Sequence, residues 1–163
     1  MGSPPDKIGD VVSGWQAVLP GLDPSALDLV GRTLVLARHL ERTANAALAR
    51  HGLSLGEFDI LGTLRRRGDG GMTPTQLLKW IVLTSGGLTA RLTRLEDRGL
   101  VTRKPDPADR RGVVVQLTAK GRRLTDAAAA TRFAEAEKSL PALTEAEQRT
   151  LKKLLKKWLE TVE

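Results

Sequence analysis

At Gly99 the hydrophobic period of this chain changes from that of a helix to that of a strand, and few folds accommodate what stands on either side of the change. Before it, Ser54 opens a helix with Glu57 three residues on, a capping box, and Phe58, Ile60, Leu61 and Leu64 follow at helical spacing up to Gly68-Asp69-Gly70-Gly71. Thr73, Pro74 and Gln76 repeat the start signal for a short helix over about 74–81. Thr84 or Ser85 caps the next helix, which runs to Arg98. After Gly99, segments 100–104 and 113–118 are β-rich, with Val113, Val115 and Leu117 alternating onto one face. Between them lies Pro105-Asp106-Pro107-Ala108-Asp109-Arg110-Arg111-Gly112, a hairpin tip stiffened by two prolines. Two helices joined by a tight turn and followed by a charged hairpin imply a winged helix-turn-helix.

The flanks read as helix. Residues 1–7 are polar and Pro-rich and are expected to be loose, and Ile8, Val11, Val12, Trp15, Val18 and Leu19 then recur at helical spacing. Asp23-Pro24 is an N-cap followed by Pro at the first helical position of a long helix to about Arg50, with Gly52 as its stop. Helices are expected over 119–139 and, from the capping box Thr144/Glu147, to about Leu159. The C-terminal segment carries Leu143, Leu151, Leu154, Leu155, Trp158 and Leu159 as an apolar stripe that a single chain has little means of covering. The fold expected is therefore mainly α with a small β-hairpin wing: an N-terminal extension and dimerisation helices (1–53), a winged helix-turn-helix domain (54–118) and C-terminal dimerisation helices (119–163). A symmetric homodimer is the natural home for the terminal helices. Lys152, Lys153, Lys156 and Lys157 leave a membrane-surface helix as the lesser alternative.

Charge and geometry point to duplex DNA. The formal net charge is +7 over 163 residues and the isoelectric point is about 10.2, a surplus suited to a polyanion. At about 100° per residue, Leu88, Leu92 and Leu95 fall on one side of the 85–98 helix. Ser85, Gly86, Gly87, Thr89, Ala90, Thr93 and Arg94 form the candidate DNA face, small side chains apart from Arg94, so the helix can settle deep in a major groove. Arg110 and Arg111 at the hairpin tip suit a narrow minor groove.

Other classes are poorly served. With no Cys and only His39 and His51, thiol catalysis, disulfides and thiolate metal sites are excluded, a transition-metal site is not expected, and no nucleophile–base pair stands out. Gly68–Gly71 lacks the Lys-Ser or Lys-Thr of a phosphate loop. No cofactor, metal or enzymatic activity is expected. No apolar run approaches a membrane span, residues 1–10 lack a signal core, and Asp6 stands where an acylation signal wants Ser or Thr, so a cytoplasmic location is expected.

The stretches LSLGEFDILGTL (53–64), TPTQL (73–77), TSGGLTARLTRLEDRGLVTRKPDPADRRG (84–112) and VVVQLTAKG (113–121) resemble the core of the MarR family of regulators. The resemblance implies an obligate dimer that binds a pseudo-palindromic operator, usually represses its own gene and a neighbour, and is released by a small ligand. The extra N-terminal helix with Trp15 resembles the urate-responsive subgroup. That likeness implies a site for a small anionic or aromatic effector such as urate, made by Trp15, Asp59, Arg91 and Arg103, with Asp59 pairing Arg91 or Arg103 in the empty state. Lys79-Trp80 departs from the family pattern, in which a bulky Trp is not expected. A non-regulatory architectural protein or a protein-interaction winged helix is the alternative function, and sequence-insensitive binding would favour it.

Overall fold

The computed structural model describes residues 6–81, 85–107, 109, 112–140 and 143–162. The chain divides into two compact units, Met1–Thr43 and Ala44–Glu163.

The first unit holds α1 (Lys7–Val18) and the N-terminal part of α2 (Ser25–Ala49). Asp6, expected in a loose segment, is instead the N-cap of α1: its carboxylate accepts from the N–H groups of Ile8 at 3.1 Å and Gly9 at 2.9 Å and pairs with Arg32 of α2 at 3.0 Å. Asp23 accepts from the Ser25 N–H at 2.9 Å, as its capping role requires. Val11, Trp15 and Val18 of α1 and Leu27, Val30 and Leu34 of α2 are exposed.

The second unit builds the core. Helices α3 (Leu55–Arg67), α4 (Pro74–Leu78) and α5 (Ser85–Asp97) precede a hairpin of β1 (Val101–Pro105) and β2 (Val113–Leu117), then α6 (Ala119–Lys138) and α7 (Glu145–Leu159). The capping boxes at Ser54/Glu57, Thr73/Gln76 and Thr144/Glu147 all form. Leu88, Leu92 and Leu95 of α5 are buried together with Ile60, Leu61, Leu64, Leu77, Leu100 and Val115, the apolar face that the spacing of α5 predicts. Helix α5 ends where Gly99 takes φ +66°, so that Gly99 N–H and Leu100 N–H turn back to the carbonyls of Glu96 at 2.8 Å and Leu95 at 2.9 Å.

The antiparallel register pairs Val101 with Leu117, Arg103 with Val115 and Pro105 with Val113. The alternation expected along β2 is only partly met: Val113 is exposed, whereas Val114 is buried beside Val115. A second bridge is the reason. Met72 pairs with Val115 on the side of β2 away from β1 and brings Gly71 against the Val114 side chain. At the other end Thr118 caps α6, and Gly121 lies so close to the Leu100 carbonyl that any Cβ there would collide with it. The junction between hairpin and α6 is thereby fixed. On α7, Leu154, Leu155, Trp158 and Leu159 are exposed. Among the described residues no helix is long and apolar enough to cross a membrane.

Candidate nucleic-acid interface

Helix α5 sorts its residues by face. With Leu88, Leu92 and Leu95 turned into the core, Gly86, Thr89, Ala90, Thr93 and Arg94 lie exposed and Gly87 half-buried; Ser85 opens the helix. The exposed strip is narrow and low because its side chains are small, and Arg94 is its one long cation. That guanidinium is 56% exposed, and it reaches Glu57 of α3 at 3.6 Å while Arg98 reaches the same carboxylate at 3.8 Å. Burial would raise the Glu57 carboxyl, but hydrogen bonds from the Ser54 N–H and hydroxyl, with Arg98 and Arg94 nearby, hold it below the usual glutamate range. Glu57 thus serves twice, in the cap of α3 and as the anchor of Arg94 of α5 and of Arg98 just past its end.

The wing begins at β1. Its base is tied to α5, and its tip closes between Asp106 and Gly112, where the Asp106 N–H donates to the Gly112 carbonyl at 3.0 Å and the Gly112 N–H to the Asp109 carbonyl at 2.8 Å. Arg110 and Arg111, the expected minor-groove contacts, lie outside the described residues.

The four residues expected to hold an effector each have different partners. Trp15, in the first unit, lines an open groove of about 470 Å³ with Leu19, Leu22, Pro24 and Leu27. Arg91 turns toward α3: its Nη1 donates to the Gly87 carbonyl at 3.2 Å, while its buried Nε finds no hydrogen-bond partner among the described residues and lies against Gly56. Asp59 does not pair with Arg91 or Arg103 as expected. Burial raises its carboxyl, and the charges that oppose the rise are Arg132 and Arg66. Arg103 instead pairs with Glu96 of α5 at 3.0 Å. Helical spacing puts Asp59 and Arg91 on facing elements but does not say which cations surround Asp59; α6 supplies one of them.

Comparison with known proteins places this geometry. Residues 51–112 match the sequence profile of the MarR family. The transcriptional regulator PecS of Dickeya dadantii is 35% identical over 116 residues, which cover 71% of this chain and 70% of PecS. The chain belongs to the MarR family. It is a transcription regulator and not an enzyme, as its relatives are. Among solved structures, a mutant of Escherichia coli MarR complexed with operator DNA is similar over 89% of this chain and 97% of its own, with a TM-score of 0.74 and 28% identity. Bordetella bronchiseptica BpsR, whose DNA binding is described as regulated by 6-hydroxynicotinic acid, matches over 79% of this chain and 91% of its own, with a TM-score of 0.72 and 25% identity.

The exposed Trp80, the departure from the family pattern, stacks under the Arg67 guanidinium at 3.7 Å from the ring centroid. Sequence reasoning missed both this stack and the tie between Glu96 and Arg103.

Proposed function

We propose that this MarR-family regulator binds a pseudo-palindromic operator as a homodimer, acts as a repressor, and is released by a small aromatic anion. The observation that carries the DNA reading is the sorting of α5, a helix whose apolar side anchors in the core and whose outer side is short enough for a major groove. Thr89, Ala90, Thr93 and Arg94 meet base edges and phosphates, with Ser85, Gly86 and Gly87 at the helix entry, and Arg110 and Arg111 follow the minor groove. The operator-bound E. coli relative supports this assignment. Dimerisation is supported by the uncovered apolar residues of α2 and α7.

For the effector, the supporting features are an indole beside an apolar groove at Trp15 and, at Arg91, a cation whose Nε has no acceptor among the described residues. Taken separately, the indole offers a stacking face to an aromatic ring, and the Arg91 Nε offers a donor to a carboxylate or enolate oxygen. BpsR, with its aromatic acid ligand, supports the same chemistry, and urate is one candidate within it. Arg91 sits on the helix that carries the DNA-facing residues, so an anion drawing on it shifts the balance between DNA-competent and incompetent states.

The test is a fluorescence titration of the full chain against a duplex from the DNA flanking its gene and a scrambled duplex at matched salt, followed by addition of urate, xanthine and salicylate. Preference for the first duplex and release by at least one anion at or below millimolar levels is the expected result. Equal binding to both duplexes overturns the operator reading. Specific binding that no anion releases overturns the effector reading alone.

A further inference from the structure

One carboxylate joins the reading helix to the wing. Glu96, in the last turn of α5, accepts from the Arg103 backbone N–H at 3.2 Å through Oε1 and from the Arg103 guanidinium at 3.0 Å through Oε2. The same guanidinium extends Nη2 to the Thr93 hydroxyl at 3.3 Å, and that hydroxyl donates in turn to the Thr89 carbonyl at 3.2 Å. Arg103 is the middle residue of β1 and pairs with Val115, the innermost residue of the hairpin. Only Lys104 separates it from Pro105, where the wing loop departs.

The arrangement is stiffer than an ordinary surface ion pair. A flexible Glu–Arg contact on one surface restrains two side-chain ends and little else. Here the carboxylate grips the main chain of the strand as well as its side chain, so it restrains the strand itself. Gly99 turns the chain between them at φ +66°, its N–H on the Glu96 carbonyl at 2.8 Å and its carbonyl accepting from the Thr118 hydroxyl at 2.8 Å. Glu96 and Arg103 add a side-chain brace across the same turn. Thr93 gains as well: its hydroxyl is held by both Arg103 and the Thr89 carbonyl, which restrains its rotamer.

We propose that Glu96 is a positioning residue for operator recognition, one that touches no DNA and sets the angle between α5 and the wing while orienting Thr93 through Arg103. The inference rests on the DNA reading above. Helix and wing enter adjacent grooves of one duplex, so a small change of angle lets either engage only at the expense of the other. Specific binding needs both together, whereas binding to arbitrary DNA depends on phosphate charge and tolerates a loose wing.

The experiment compares wild type, Glu96→Ala and Glu96→Gln in the full chain on the flanking-DNA and scrambled duplexes, with thermal midpoints and hydroxyl-radical footprints. For Glu96→Ala, affinity for the specific duplex is expected to fall about tenfold, within the range of ordinary site coupling, while affinity for the scrambled duplex changes less than about twofold because its phosphate contacts remain. The footprint should lose its outer, wing-side protections and keep the central ones. Glu96→Gln retains acceptor atoms for the main chain and is expected to fall between Ala and wild type. The proposal is overturned if Glu96→Ala keeps wild-type specificity and footprint, or if it loses both duplexes in step with a falling thermal midpoint, the mark of a merely structural role. A wild type indifferent to sequence removes the DNA reading itself, which the variants do not affect.

Discussion

Glu57 shows how one side chain carries both a fold and a site. Its carboxylate closes the capping box of α3 and faces Arg94 of α5 and Arg98 just beyond it, with only 10% of the side chain exposed. Because its folded pKa is depressed, the folded state takes up this proton less readily than the unfolded chain. Its contribution is complete above the ordinary glutamate range and disappears as pH falls through the folded value. Glu57→Ala is expected to cost about 1–2 kcal/mol at neutral pH, and the urea midpoints of variant and wild type should draw together as pH is lowered below the ordinary glutamate range. A constant difference across pH would separate the effect from ionisation. Gly86 makes the opposite case. A Cβ at Gly86 meets nothing within 4 Å among the described residues, so Gly86→Ala is expected to stabilise the helix by up to about 0.5 kcal/mol. The same methyl stands on the strip assigned to the major groove, so operator affinity should fall while the thermal midpoint holds or rises. Thr89→Glu, on that strip as well, is expected to abolish operator binding with far-UV circular dichroism unchanged; retained binding would misplace the reading face.

At the scale of elements, most boundaries lay within reach of the sequence because local chemistry sets them. Three capping boxes start helices where Ser54, Thr73 and Thr144 stand, and Gly99 ends α5 through a backbone conformation that side chains other than glycine rarely adopt. The side of α5 that goes inward was equally legible, since Leu88, Leu92 and Leu95 recur at the helical step. What escaped were interactions between elements. The bridge from Met72 to Val115 has no periodic signature, so the burial of Val114 could not be read from alternation. The partners of Asp59 come partly from α6, more than sixty residues away. The tie between Glu96 and Arg103 was within reach, because a left-handed glycine between a helix and a strand folds residues three before it and four after it toward each other. The wing's part is checked by charge. Arg110→Ala with Arg111→Ala should weaken specific and non-specific binding together and flatten the dependence of log affinity on log salt by about 0.9 for each phosphate that is no longer neutralised. An unchanged slope would remove these arginines from the interface.

At the scale of the whole molecule, the question is what covers the apolar residues that one chain leaves bare. The winged unit satisfies itself: Ile60, Leu61 and Leu64 of α3, Leu77 of α4, Leu88, Leu92 and Leu95 of α5 and Val101 and Val115 of the hairpin are buried in one core within residues 44–163. Helix α7 does not, since Leu154, Leu155, Trp158 and Leu159 stay exposed between four lysines that keep the other face in water. In the proposed homodimer a second copy would cover this stripe and set two reading heads at a fixed spacing, about one turn of DNA apart. Leu154→Lys with Trp158→Lys puts like charges into that pairing but removes nothing from the core of the winged unit. The variant is expected to sediment as a monomer with its helical content largely retained. Its affinity for a duplex with two half-sites should drop about 10²–10⁴-fold, the loss that follows when the second head no longer binds intramolecularly. Affinity for a single half-site should not change. A variant that stays dimeric with wild-type affinity would move the pairing surface away from α7, whereas a monomer that keeps wild-type affinity for the two-half-site duplex would show that one head suffices.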